Sequence, residues 1–416
     1  MPAAIGVLLL AASGPAGAWA ATPPGMVDAF SAGEGGYACF RLPALLRLPS
    51  SRPGSPPQLA LFAEGRNKSC SDYAPTDVVY KRSLDGGRSW GALSVIAGTD
   101  HDRDYGNTSN QPTPVVAASP AGPRVVLLFN RGGRVLMARS SDPAASAWEY
   151  KTRETGIGGR RNGVTVGPTA GVALASGRLA VAAHFGSSGA ALLSDDGGHS
   201  WRISNTTTVS CPLPSSLVPL SSPAPFIISL KTEGGSARQD FGNEGEVAVA
   251  PNGSLVLNMR ATDSYKRRIA WSSDGNTWSN SSNAMMPEFG GHCEGAMIRV
   301  AGKETMLMSS PFGIGPDWGH RCPGPGRCNM TVWQSTNSAA NWCYPSFATS
   351  ESPFSHKALR YCGRTIAFQL NESLGVNPRE AAAYSAMAQL NASHFGLVYE
   401  RDNAAHLTLA FLPFPS

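Results

Sequence analysis

The chain has 416 residues, of which 15% are charged, and a formal net charge of +5 at neutral pH. That mild balance, with no Lys/Arg run and no aromatic-basic stripe, gives no support for nucleic-acid binding. The 46 glycines, the 32 prolines and the lack of long helical periodicity exclude a helical bundle and point to many short strands and turns. All-β units often run long, so this length does not demand two domains.

The apolar stretch Ile5 to Ala12 precedes Ala18-Trp19-Ala20, an A-x-A cleavage pattern before Ala21. Residues 1–20 therefore read as a signal peptide, and residues 28–416 as a single domain. The early segment is too short for a convincing membrane span, and no span follows it. Eight cysteines and eight N-x-S/T sequons, at Asn67, Asn107, Asn205, Asn252, Asn280, Asn329, Asn371 and Asn391, agree with a secretory route. An extracellular or lysosomal destination is the expectation. Eight cysteines allow 105 pairings, so their connectivity is not readable. No Cys-x-x-Cys or His-x-x-x-His spacing suggests zinc; the cysteines read as structural, and neither metal nor cofactor is expected.

Further along come Phe40-Arg41-Leu42-Pro43, Ala63-Glu64-Gly65-Arg66 and Ser71-Asp72-Tyr73. Lys81-Arg82 then leads into Ser83-Leu84-Asp85-Gly86-Gly87-Arg88-Ser89-Trp90, a turn motif of the form S-x-D-x-G-x-x-W. Ser194 to Trp201 repeats it at identical spacing, and Ser272 to Trp278 is a copy one residue short. Eroded versions carry Ser140, Asp142 and Trp148, then Ser335, Asn337 and Trp342. The Asp can bond backbone N–H groups two residues on, and the Gly supplies a positive φ. The Trp is a large apolar plug able to wedge beside the next sheet. Between the motifs lie short apolar runs at Arg124 to Phe129, Arg178 to Ala183, Ser254 to Met259 and His394 to Tyr399. The five copies start 54 to 78 residues apart, which suits one four-stranded blade each and predicts a β-propeller.

The Phe-Arg-Leu-Pro motif with the Asp boxes behind it resembles the signature of exo-sialidases, and the resemblance runs from about Phe40 to Glu400. It implies a six-bladed all-β propeller with the Asp-box turns on the rim opposite the pocket. Sialic acid carries a carboxylate on its anomeric carbon, and an arginine presents a planar fork matched to a carboxylate. The resemblance places three such arginines at Arg41, Arg260 and Arg327, the last between Cys322 and Cys328. Arg66 resembles a fourth substrate-contacting arginine, with a structural salt bridge as its other reading.

The resemblance implies a general acid/base nine residues before Lys81-Arg82, which falls on Asp72; Asp77, opening the run Val78-Val79-Tyr80, competes and reads as a strand residue. An acid that protonates a leaving oxygen near neutral or acidic pH needs a raised pKa, so Asp72 is expected to titrate high. Tyr384-Ser385-Ala386-Met387 resembles the family's nucleophile motif, flanked here by Ala381-Ala382-Ala383. A neutral phenol avoids the repulsion a carboxylate would meet at an anomeric centre that already bears one. Gly242-Asn243-Glu244 resembles the motif that supplies its base, with Glu246 as a nearby rival read as a strand residue. Glu400 resembles the carboxylate that buttresses the first arginine. Asn329 is both a sequon and part of the third arginine motif, and is expected to stay unglycosylated.

Taken together, the resemblance implies a retaining exo-α-sialidase acting on sialylated glycoproteins, gangliosides and oligosaccharides. A binding propeller, such as a sorting receptor or lectin-like module, would need the arginines but neither Tyr384 nor Glu244. An enzyme acting on a related keto acid such as Kdn, or a transglycosylase, would share every motif.

Overall fold

The computed structural model describes Thr22 and residues 25–49, 54–98, 108–158, 163–207, 242–261, 266–279, 281–287, 293–311, 327–328, 330–340, 342, 368–369 and 381–415. The expected signal peptide, Asn329, and Cys211, Cys322, Cys343 and Cys362 lie outside these residues. Six antiparallel sheets follow one another along the chain. The first blade contains Cys39–Arg47, Leu59–Arg66, Thr76–Ser83 and Ser94–Ala97. The second contains Ser109–Ala117, Arg124–Arg131, Arg134–Ser140 and Trp148–Gly158. The third is built on Val164–Val166, Leu179–Phe185, Ser188–Ser194 and Arg202–Ile203, with the short strand Val172–Ala173 added.

Gly242–Val249, Leu255–Ala261, Lys266–Ser272 and Ser282–Pro287 make the fourth blade. Met297–Arg299, Met306–Pro311, Met330–Ser335 and Phe368–Gln369 make the fifth. The sixth takes three strands from the C-terminal part, Ala382–Gln389, His394–Arg401 and His406–Pro413. Its fourth strand is Met26–Ser31, which pairs antiparallel with His406–Pro413 and joins the two ends of the ring.

The apolar runs in the sequence have a direct cause in this layout. Side chains of a strand alternate between the two faces of its sheet, and here both faces are covered by neighbouring blades. Val125, Leu127 and Phe129 pack with the first blade, whereas Val126 and Leu128 pack with the third. Six apolar clusters result, each between two consecutive blades.

The Asp-box turns join the third and fourth strands of five blades and hold themselves by local hydrogen bonds. In the first, Ser83 Oγ donates to Asp85 Oδ1 at 2.8 Å and accepts from Gly87 N at 2.7 Å, while Ser89 N donates to Asp85 Oδ1 at 2.9 Å. Partial burial works against ionisation, yet hydrogen bonds from Ser89 and Ser83 bring Asp85 down to about 2. The eroded copies form the same turn: Asp142 accepts from Ala144, Ser146 and Ala147, and Asn337 accepts from Ser335.

Each box tryptophan packs against the preceding blade rather than the following one. Trp148 donates from Nε1 to Tyr80 Oη at 3.1 Å, and Trp278 donates to Ser204 Oγ at 3.0 Å. The second glycine of the box allows this close approach: at Gly87, with φ +95°, a Cβ would stand 2.2 Å from Leu409 Cδ2.

Candidate active site

The boxes sit where third strands end, so the opposite rim is where first and third strands begin and second strands end. The expected site residues are on that opposite rim. Arg41, Glu244 and Tyr384 stand near the starts of first strands, and Arg260 and Glu400 near the ends of second strands. Asp72 is on the loop between the second and third strands of the first blade, and Arg327 lies just before the third strand of the fifth.

First strands bulge where they carry these groups. Pairing skips between Arg41 and Ala44, between Gly242 and Gly245, and between Ala383 and Ser385. A bulge re-aims a side chain without ending the strand. Leu42 takes φ 52° and Tyr384 φ 21°, both in the region that favours glycine.

Arg41 is fixed from below by Glu400: its Nε donates at 3.0 Å and its Nη2 at 3.1 Å to the two carboxylate oxygens. Glu400 is buried and also accepts from Leu42 N at 2.9 Å. Burial alone would lower the Arg41 pKa, but Glu400 and the neighbouring acids overcome it and push it up. The guanidinium stays charged.

Asp72 Oδ1 accepts from both Arg41 Nη1 at 3.1 Å and Arg66 Nη1 at 2.6 Å. Arg66 in turn is held by Glu64, at 2.7 Å from Nη2, and donates to Cys70 O at 2.8 Å. Arg66 thus makes the structural ion pair and also stands beside Asp72. A Cys39–Cys70 disulfide pins this loop to the strand that bears Arg41. Asp72 does not titrate high, contrary to the expectation: burial raises its pKa, but the Arg66 hydrogen bond and the charges of Arg66, Arg41 and Arg327 lower it further. The convergence of three cations on one carboxylate is a tertiary fact that local sequence does not announce.

The rivals separate cleanly. Asp77 is buried in its strand and accepts from Tyr37 Oη at 2.7 Å. Glu246 is buried and accepts from Met297 N, and burial pushes its pKa well above the usual carboxylate range.

Tyr384 Oη donates to Glu244, 2.8 Å from Oε2 and 3.0 Å from Oε1. Arg260 Nη1 reaches both partners, at 2.6 Å from Glu244 Oε2 and 3.1 Å from Tyr384 Oη. Arg41 and Arg327 lie against the same ring, with Cζ 5.0 and 5.4 Å from its centroid. Burial pushes the phenol well above its ordinary value and Glu244 adds to this, while Arg260 and Arg41 pull it back. The phenol is neutral at rest. Arg260 Nε is buried without a hydrogen-bond partner among the described residues. A cavity of about 190 Å³, lined by Arg41, Arg327, Glu400 and Ala381, Ala382 and Ala383, opens beside the cluster.

Four further residues belong to this surrounding. Glu64 holds Arg66 and accepts from Gln111 N at 2.9 Å. His184 lies close enough to Glu244 and Arg260 to feel both charges. Cys293 and Glu294 lie directly behind Tyr384. None stands in a motif with local chemistry; only Glu64 could have been noticed, as the neighbour of Arg66.

A family model described as "BNR repeat-like domain" matches residues 59–397. The chain belongs to that family. Its fold is the six-bladed propeller of the sialidases, as solved structures show. A Hadza microbial sialidase aligns with a TM-score of 0.66 at 18% identity, over 94% of this chain and 68% of the other. The NanB sialidase of Streptococcus pneumoniae aligns at 0.63 with 14% identity, over 93% and 70%. An intramolecular trans-sialidase from Ruminococcus gnavus aligns at 0.61 with 15% identity, over 93% and 96%. Comparison of the sequence with curated proteins gives no match.

Proposed function

We propose that the chain is a retaining exo-α-sialidase that releases terminal sialic acid from glycoproteins, glycolipids and oligosaccharides. The observation that carries this reading is the Tyr384–Glu244–Arg260 contact set with Arg41 and Arg327 against the same ring. A carboxylate-binding propeller has no use for a phenol hydrogen-bonded to a buried glutamate. A glycosidase attacking an anionic centre does.

In this reading Arg41, Arg260 and Arg327 hold the sugar carboxylate, with Glu400 keeping Arg41 in place. Glu244 takes the phenolic proton as Tyr384 Oη attacks the anomeric carbon, so the phenol need never be ionised at rest. Arg260 steadies the negative charge as it shifts from Glu244 to the phenolic oxygen. Asp72 gives its proton to the departing glycosidic oxygen and later takes one from the water that frees the sugar. Arrival of the substrate carboxylate on Arg41 offsets part of the positive charge that lowers Asp72. The bound sugar also displaces water from around the carboxyl, and both effects move Asp72 toward the protonated form that the first step needs. Arg66 supports the same region from the side.

The leading segment, the sequons and the Cys39–Cys70 disulfide support a secretory route ending outside the cell or in a lysosome. No helix among the described residues is long and apolar enough to cross a membrane.

The test is hydrolysis of a fluorogenic sialoside by the secreted protein, run beside its Kdn counterpart, with the product identified. Free sialic acid formed with retention supports the reading. An anhydro sugar would assign the chain to the intramolecular transferases, the activity named for the Ruminococcus gnavus protein. Tight binding without turnover would make it a lectin.

A further inference from the structure

We propose that Cys293 and Glu294 position the Tyr384 phenol by clamping the backbone bulge on which it stands. The inference rests on the reading of Tyr384 as the nucleophile. In the innermost strand of the sixth blade, Ala383 pairs with Glu400 and Ser385 with Tyr399, leaving Tyr384 as the extra residue with no place in the ladder. Its φ of 21° is one that a bulky aromatic holds only where the surroundings over-determine it. The surroundings here are two consecutive residues from another blade. Tyr384 N donates to Cys293 Sγ at 3.2 Å, and Ser385 N donates to Glu294 Oε2 at 3.2 Å. Ser385 Oγ is bonded to Ser309 Oγ at 2.8 Å as well.

The clamp is itself anchored. Cys293 O accepts from Arg267 Nη1 at 2.8 Å, and Gly295 O accepts from Asn258 Nδ2 at 2.8 Å. Gly295 allows the segment to lie this close, because a Cβ there would stand 2.0 Å from Ser309 O. Cys293, Leu42 and Tyr384 pack as one apolar cluster, so the thiol supports the ring as well as the amide.

Glu294 is the telling member. It is fully buried, and its Oε1 has no hydrogen-bond partner among the described residues. An apolar residue would avoid that bare oxygen, but it would also leave the Ser385 N–H unsatisfied. The acid stands where a backbone donor beside the phenol needs an acceptor. Burial, with Glu246 and Glu244 nearby, pushes its pKa well above the usual carboxylate range despite Arg267. Glu294 therefore serves Ser385 N–H as a neutral acceptor. Its effect on the reaction passes through geometry, where a displacement of about 1 Å can cost on the order of a hundredfold in rate.

The test compares Cys293→Ala, Cys293→Ser, Glu294→Ala and Glu294→Gln on a fluorogenic sialoside, with kcat and KM measured separately. Exchange of the Tyr384 and Ser385 amide protons is followed in parallel by NMR. Losing either acceptor should lower kcat about tenfold to a hundredfold with KM within about threefold, because the arginine cradle is untouched. Glu294→Gln still offers an oxygen to Ser385 N–H and should keep kcat within about threefold of wild type, with an unchanged pH profile. Cys293→Ser should lie between wild type and Cys293→Ala.

Wild-type kcat in both alanine variants, or a Glu294→Gln variant as impaired as Glu294→Ala, overturns the proposal. If the alanine variants fail to fold, the wild-type amides decide: both must be protected from exchange, and rapid exchange of either overturns the clamp. That arm needs no turnover, so an inactive wild-type protein would sink the sialidase reading and still leave the clamp decided.

Discussion

A single oxygen separates tyrosine from phenylalanine at position 384, and much of the chemistry proposed here depends on it. Tyr384→Phe removes the donor to Glu244 and leaves the ring that Arg41 and Arg327 lie against. Ligand affinity should persist while turnover falls at least about a thousandfold, as expected when a covalent route is lost. Near-normal turnover in that variant would end the nucleophile assignment. Asp72→Ala should spare sialosides with phenolic leaving groups, which need little protonation, and cripple sialyllactose; equal damage to both substrates would remove Asp72 from the acid role. The low pKa of Asp72 makes a further test with a fixed sign. The first step needs protonated Asp72, so kcat/KM should fall as pH rises through its free-enzyme pKa, giving an acidic optimum. Burial raises that pKa and Arg66 is the largest influence lowering it, so Arg66→Met should move it up and carry the alkaline limb to higher pH. A limb that stays in place or moves down would show that Asp72 does not set it.

At the scale of the element, the Asp-box turn is a self-contained device far from the pocket. Asp196 accepts from Ser194 Oγ, His199 N, Ser200 N and Ser200 Oγ, between 2.6 and 3.0 Å. Asp196→Ala should destabilise the protein by about 1–2 kcal/mol and leave kcat per folded molecule unchanged; urea unfolding and active-site titration measure the two. A matching loss of kcat would mean that the box rim and the pocket rim communicate. These turns were legible in the sequence because each is closed by residues within seven positions of one another. The eroded copies at Asp142 and Asn337 could be placed for the same reason. The direction in which each tryptophan leans was not legible, since it depends on which neighbour a blade meets. Asp72, Tyr384 and Glu244 were found only through resemblance to a family, because locally they are an exposed loop acid, an aromatic in an alanine-rich strand and a strand-start glutamate. Cys293 and Glu294 escaped altogether. They act on backbone amides of another blade, and such contacts leave no side-chain pattern in either segment.

Across the whole molecule, the ring depends on one long-range pairing. Phe30, fully buried between the sixth and first blades, stands on the strand that the N-terminal part lends to the sixth blade. Phe30→Ala should cost about 3–5 kcal/mol, seen as a lower denaturation midpoint with activity vanishing in the same transition. A cost below about 1 kcal/mol would mean that closure does not depend on that side chain. The same pairing accounts for five boxes on six blades: the turn that would join the third and fourth strands of the last blade is replaced by two separate stretches of chain.

That split blade also sets the order of events during synthesis. Arg41 is made 359 residues before the Glu400 that fixes it, and Met26–Ser31 must wait for His406–Pro413 before it has a partner. A nascent chain still attached to the ribosome can assemble its middle blades, each held by local turns. It has an arginine without the glutamate that holds it from below, and no phenol to set against it. The pocket comes into being only when the last blade docks, so no translation product that stops short of that blade can carry the assembled centre.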